Sequence, residues 1–161
     1  MTRWADHDET LDEARQRNIR DALAEDIGTG DWTGLLVPEA RRIQAQVRVR
    51  EDAVLCGRDW FDGVMLALDP AARLDWQFEE GADMPADHIL CRVEADGRAL
   101  LSAERPALNF LQLLSATATA TRRHVQANGF DAARHEAVDA DVNAWLRAAL
   151  EQGRRFDAIV L

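Results

Sequence analysis

The sequence predicts an α+β protein: an antiparallel sheet backed by helices, followed by a helix-strand tail. Three observations carry this. A helical period opens behind a capping box at Thr10, strict two-residue alternation runs from Ile43, and a second apolar stripe of helical period follows Pro106. With 161 residues and 47% hydrophobic content, the chain can bury one ordinary core and have a short segment left over.

The elements follow in order. Thr10, Leu11, Asp12 and Glu13 read as an S/T-x-x-E capping box, and Ile19, Ala22, Leu23 and Ile27 recur at helical spacing, so a helix is expected over about 10–26. Gly28 suits a left-handed position just past its end. Ile43, Ala45, Val47 and Val49 alternate with Gln44, Gln46, Arg48 and Arg50, the pattern of a half-buried strand with one wet face. Phe61, Val64, Met65 and Leu68 share a helical face over 59–68, and Pro70 stops it. Leu74, Trp76 and Phe78 make the next strand. Ile89, Cys91 and Val93 begin another, which is expected to turn at Asp96-Gly97 into a strand from Arg98 to Ser102. Pro106 then suits the first turn of a third helix, striped by Ala107, Phe110, Leu111, Leu114 and Ala118 and reaching Val125. Within it Ser-Ala-Thr-Ala-Thr-Ala-Thr, 115–121, offers small side chains for close packing, with low-complexity disorder as the alternative.

Composition excludes several chemistries. The net charge of −10 and the lack of a basic run argue against a nucleic-acid surface. All 19 basic residues are arginines, which rules out Schiff-base and P-loop lysine chemistry. Cys56 and Cys91 lack CxxC spacing and read as buried thiols. No apolar run approaches a membrane span, and the acidic start is unlike a signal peptide, so a cytoplasmic location is expected.

Isolated candidates are weak. Gly28-x-Gly30 follows a helix and lacks the third glycine of a phosphate loop; Asp26 and Asp31 read as capping or turn residues rather than metal ligands. His7, His88, His124 and His135 have no ligand spacing, and Ser102 and Ser115 have no histidine base close in sequence. No catalytic residue and no metal ligand is assigned.

Three segments together carry a likeness: Glu25-Asp26-Ile27-Gly28-Thr29-Gly30-Asp31-Trp32-Thr33, then Arg50-Glu51 with Ala53-Val54-Leu55-Cys56-Gly57, then Leu100 through Gln112 with its Glu104-Arg105-Pro106-Ala107-Leu108-Asn109 centre. Over about 10–125 the chain resembles the N-terminal domain of quinolinate phosphoribosyltransferase, also called nicotinate-nucleotide pyrophosphorylase (carboxylating). The resemblance implies a first domain at 1–125, an antiparallel sheet backed by helices. In the complete enzyme a following α/β barrel converts quinolinate and phosphoribosyl pyrophosphate, with Mg²⁺, to nicotinate mononucleotide, pyrophosphate and CO₂. It also implies that Arg105 contacts a quinolinate carboxylate across a dimer interface.

The barrel's Thr-Arg-Lys-Thr, His-Arg and Lys-Asp-Asn segments are absent, so the expectation is a truncated transferase, inactive alone, that forms a homodimer or pairs with a full-length homologue. A non-catalytic dimerisation or interaction module is the alternative. Residues 126–161 read as an unrelated or truncated tail: Asp141 caps a helix striped by Val142, Trp145, Leu146, Ala149 and Leu150, and a strand follows over 156–161. This tail is similar to the middle of Rossmann-like, S-adenosylmethionine-dependent ribosomal RNA methyltransferases, in which Asp141 would lie near the cofactor's adenine. A fusion remnant of that kind is the third expectation.

Overall fold

A computed structural model describes residues 9–28, 38, 41–128 and 151–152. By internal contact the chain divides into 1–124 and 125–161. The first unit carries the elements α1 (Leu11–Ile27), β1 (Arg42–Arg48), β2 (Ala53–Val54), α2 (Arg58–Leu68), β3 (Arg73–Trp76), β4 (Asp83–Met84) and β5 (Ile89–Asp96), and most of α3 (Gly97–Ala127). The second is described only at 125–128 and at Glu151 and Gln152. The helix capped by Asp141 and the strand over 156–161 therefore lie outside the described residues, as do Gly30 and Asp31.

The alternation read from Ile43 becomes a three-stranded antiparallel sheet in the order β1-β5-β3. Its register stacks like faces: Ala45 faces Val93, which faces Leu74, and Val47 faces Cys91, which faces Trp76. These side chains form the dry face, while Gln46, Arg92 and Asp75 line up on the wet one. Phe61 from α2 meets Trp76 edge-on at 5.3 Å, and Phe61, Val64, Val93, Ala103 and Ala107 join one apolar cluster that includes Ile19 of α1. The helices thus cover one face of an antiparallel sheet, as the periodicity required.

The α1 capping box forms as read, Thr10 Oγ1 accepting from the Glu13 N–H and Glu13 accepting from the Thr10 N–H at 2.8 Å. Gly28 has φ 53° but ψ −128°, so its φ is positive without the left-handed helical geometry expected.

One prediction fails outright. Residues 98–102 are helix, not strand, and Pro106 lies inside α3 rather than at its start. The Asp96 carboxylate accepts from the backbone N–H groups of Arg98 and Ala99, at 3.0 and 3.2 Å, so a residue read as a hairpin turn is a helix cap. Starting the helix there brings Leu100 and Ala103 onto the buried stripe that continues through Ala107 and Leu111. That burial, about 1.5–3 kcal/mol for the leucine alone, helps offset the cost of about 3 kcal/mol for an interior proline.

The second sheet, β2 with β4, was not foreseen, and α3 completes it. Along 54–56 successive N–H groups point opposite ways: Leu55 donates to the Ala82 carbonyl, while Val54 donates to Thr119 Oγ1 at 2.8 Å and Cys56 to Ser115 Oγ at 3.0 Å. Ser115 returns its own proton to the Cys56 carbonyl at 3.0 Å. Two hydroxyls one helical turn apart thus take the place of a neighbouring strand. The small-residue run is ordered helix, and its close packing is the contact anticipated.

Candidate functional site

Arg105 projects from the outer face of α3. Ala103, Pro106 and Ala107 turn into the core, which leaves Glu104, Arg105 and Asn109 exposed. Because α3 begins at Gly97, Arg105 stands well inside the helix, and the unfavourable N-terminal dipole expected of it does not apply. Its Nε lies 2.5 Å from Oδ1 of Asp26, in the last turn of α1. The arginine side chain is 70% exposed and the aspartate 13%. A guanidinium this exposed has N–H groups left for a second carboxylate, the group it grips bidentately. The sequence singled out both residues but gave no sign that they pair.

Among the described residues the other candidates are brought to no common site; His7, His135 and Asp31 lie outside those residues. Ser102 donates to the Arg98 carbonyl and Ser115 to that of Cys56, so both hydroxyl protons serve backbone oxygens. His88 Nδ1 lies 2.9 Å from the Ala86 carbonyl. Among the described residues no three His, Cys, Asp or Glu side chains converge on a point where a metal could sit. Cys91 is fully buried and its thiol is pushed up to about 12, chiefly by burial; Cys56 is raised as well, by burial and then by the Glu80 carboxylate. Neither is a nucleophile at neutral pH. Among the described residues no helix is long and apolar enough to cross a membrane.

Two groups missed in the sequence shape the fold around these residues. Glu80 accepts from the N–H groups of Gly57 and Arg58, at 2.7 and 3.2 Å, and so caps α2 from a distant loop where Gly57 has no side chain to do so. Asp69, buried at the end of α2, accepts from Asp96 and Ala71 N–H at 2.8 and 2.9 Å and from Arg42 at 3.3 Å. The Asp96 N–H foremost holds its carboxyl below the ordinary range against burial, the second-largest influence, with Ala71 and Arg42 adding to the lowering. Neither the Glu80 cap nor the Asp69–Asp96 contact could be found by spacing, since the partners come from different elements.

Residues 29–115, Arg105 among them, match the family described as quinolinate phosphoribosyl transferase, N-terminal domain. The chain belongs to this family. It is 35% identical over 105 residues to a probable nicotinate-nucleotide pyrophosphorylase [carboxylating] of Synechocystis, covering 65% of this chain and 36% of that protein. It is 31% identical over 106 residues to the chloroplastic pyrophosphorylase of Arabidopsis thaliana, covering 65% and 30%. Among solved structures, the nicotinate-nucleotide pyrophosphorylase from Francisella tularensis superposes with a TM-score of 0.70 at 35% identity, over 73% of this chain and 42% of that one. The Ehrlichia chaffeensis enzyme gives 0.64 at 28%, over 74% and 42%. The chain thus spans about a third of the length of these curated relatives. The family match ends at residue 115 and bears on none of the tail.

Proposed function

We propose that this chain supplies the N-terminal domain of a quinolinate phosphoribosyltransferase of NAD biosynthesis, and that Arg105 grips a quinolinate carboxylate in the active site of a partner, either a second copy or a full-length homologue. The observation that carries this is the largely exposed guanidinium of Arg105 within the family-matched segment, ion-paired to the recessed Asp26. The family reaction joins the pyridine nitrogen to the ribose, expels pyrophosphate and releases CO₂. It needs preorganised cations around the departing pyrophosphate, and these 161 residues contain no lysine. The family's Mg²⁺ finds no cluster of ligands among the described residues, so no step is assigned to it. We therefore assign the chain a binding role within that reaction and no turnover of its own. A cytoplasmic location accompanies this reading and is supported by the two free thiols. The tail's methyltransferase likeness adds nothing to it, since Asp141 lies outside the described residues.

The test is nicotinate mononucleotide formation from quinolinate, phosphoribosyl pyrophosphate and Mg²⁺. The chain alone is expected to give none. Mixed with a full-length homologue lacking its equivalent arginine, the chain is expected to restore turnover, and Arg105→Ala to abolish that rescue. Turnover by the chain alone refutes the assignment, as does rescue that survives Arg105→Ala.

A further inference from the structure

Asp26 breaks the rule for its place in the fold. It sits in the last turn of α1, where the exposed carbonyls carry partial negative charge and a carboxylate is disfavoured; that turn holds no basic residue to compensate, and Glu25 adds a second acid. Local departures from otherwise consistent helix chemistry tend to mark function. The exposures point the same way. In the pairs Arg58–Glu79 and Arg122–Asp83 the carboxylate is the wetter partner, at 94% and 77% against 23% and 38%. Asp26–Arg105 reverses this, 13% against 70%, a wider gap than in Arg42–Asp69 and Arg17–Glu9, where the arginine is also the wetter partner; among the described pairs the next most exposed arginines, Arg17 and Arg92, stand at 49% and 48%. An arginine kept for its own packing would lie down on the surface. This one stands out from it, tethered by a recessed acid.

The point of attachment sets what remains available. Asp26 approaches the guanidinium most closely at Nε, the nitrogen nearest the backbone. The terminal edge, with its two parallel N–H groups, is the one that matches a second carboxylate. Holding the long side chain in that pose before the ligand arrives removes part of the ordering entropy that binding otherwise costs. We propose that Asp26 is a positioning residue, restraining the exposed Arg105 guanidinium through this ion pair so that it is held ready to receive one carboxylate of a pyridine dicarboxylate. This rests on the reading that Arg105 serves a partner's pocket.

The experiment combines the rescue assay with a readout that needs no turnover. In the mixture with the arginine-deficient homologue, Asp26→Asn is expected to raise KM for quinolinate about tenfold, equivalent to about 1.4 kcal/mol, with kcat changed less and Asp26→Glu recovering part of the loss. Thermal stability is expected not to fall, because Asp26→Asn also removes a charge from the wrong end of a helix; a merely structural pair would lower it. Separately, ¹⁵N relaxation of the chain alone follows the Arg105 side chain at Nε, which is expected to be more ordered in the wild type than in Asp26→Asn. Rescue with an unchanged KM in Asp26→Asn overturns the proposal. If the wild-type chain gives no rescue, the partner-pocket reading fails and the NMR result decides alone: loss of order at the Arg105 side chain in Asp26→Asn supports positioning by Asp26, and unaltered order overturns it.

Discussion

Ser115→Ala tests the joint between α3 and the second sheet. Ser115 accepts from the Cys56 N–H and donates to the Cys56 carbonyl, both at 3.0 Å, so removing one oxygen strands two backbone groups. A stranded buried group costs about 1–3 kcal/mol. Cys56 is only partly buried, which places each loss near the low end, about 1–1.5 kcal/mol, and alanine returns about 0.5 kcal/mol through its better helix propensity. The net expectation is a loss of about 2 kcal/mol, or a urea midpoint lower by about 1 M for an m-value near 2 kcal/mol/M. Thr117→Ala is the matched control: its hydroxyl donates to the Leu113 carbonyl at 2.9 Å on the exposed face, a contact that competes with the helix rather than bridging elements. That variant is expected within about 0.5 kcal/mol of wild type. Urea unfolding followed by tryptophan fluorescence and far-UV dichroism measures both. If Ser115→Ala proves no more destabilising than Thr117→Ala, the hydroxyls do not stand in for a strand and the account of α3 is wrong.

Three further outcomes are expected. Asp69 has a folded-state pKa below its ordinary value, so its contribution is complete above the unfolded pKa of about 3.9 and is lost as pH falls through that value towards the folded one; Asp69→Asn is expected to cost about 1.5–3 kcal/mol near neutrality and to flatten the acid limb of a stability titration. Gly57 has φ 103°, and a Cβ there would lie 2.9 Å from Leu114 Cδ1 and 3.3 Å from Leu114 Cβ, so Gly57→Ala is expected to lose about 1–3 kcal/mol in thermal unfolding. Both thiols are held protonated at neutral pH by burial, so alkylation of Cys56 and Cys91 by iodoacetamide is expected to be slower by about tenfold or more in the folded chain than in urea, a difference mass spectrometry reads directly.

What could be read from the sequence was what neighbours in sequence decide. The Thr10 box, the β1 alternation and the Phe61-Val64-Met65 stripe each depend on residues within a turn or a strand of one another, and each formed where it was expected. Asp96-Gly97 shows the limit of that reasoning: the same dipeptide suits a hairpin or a helix cap, and the choice lies with Leu100 and Ala103, which reach the core only if the helix starts early. Pro106 compounded the error, because the rule that places proline in a first turn gives way when a buried stripe runs past it. The candidate site was less legible for the same reason. Arg105 was found through a motif and Asp26 as a polar residue at a helix end, yet the contact between them joins α1 to α3 across the whole sheet-forming part of the sequence. No periodicity records such a meeting. Asp26 nonetheless left one trace in the sequence, a carboxylate at the end of a helix that disfavours it, and its place only makes sense once a cation from another element is found beside it.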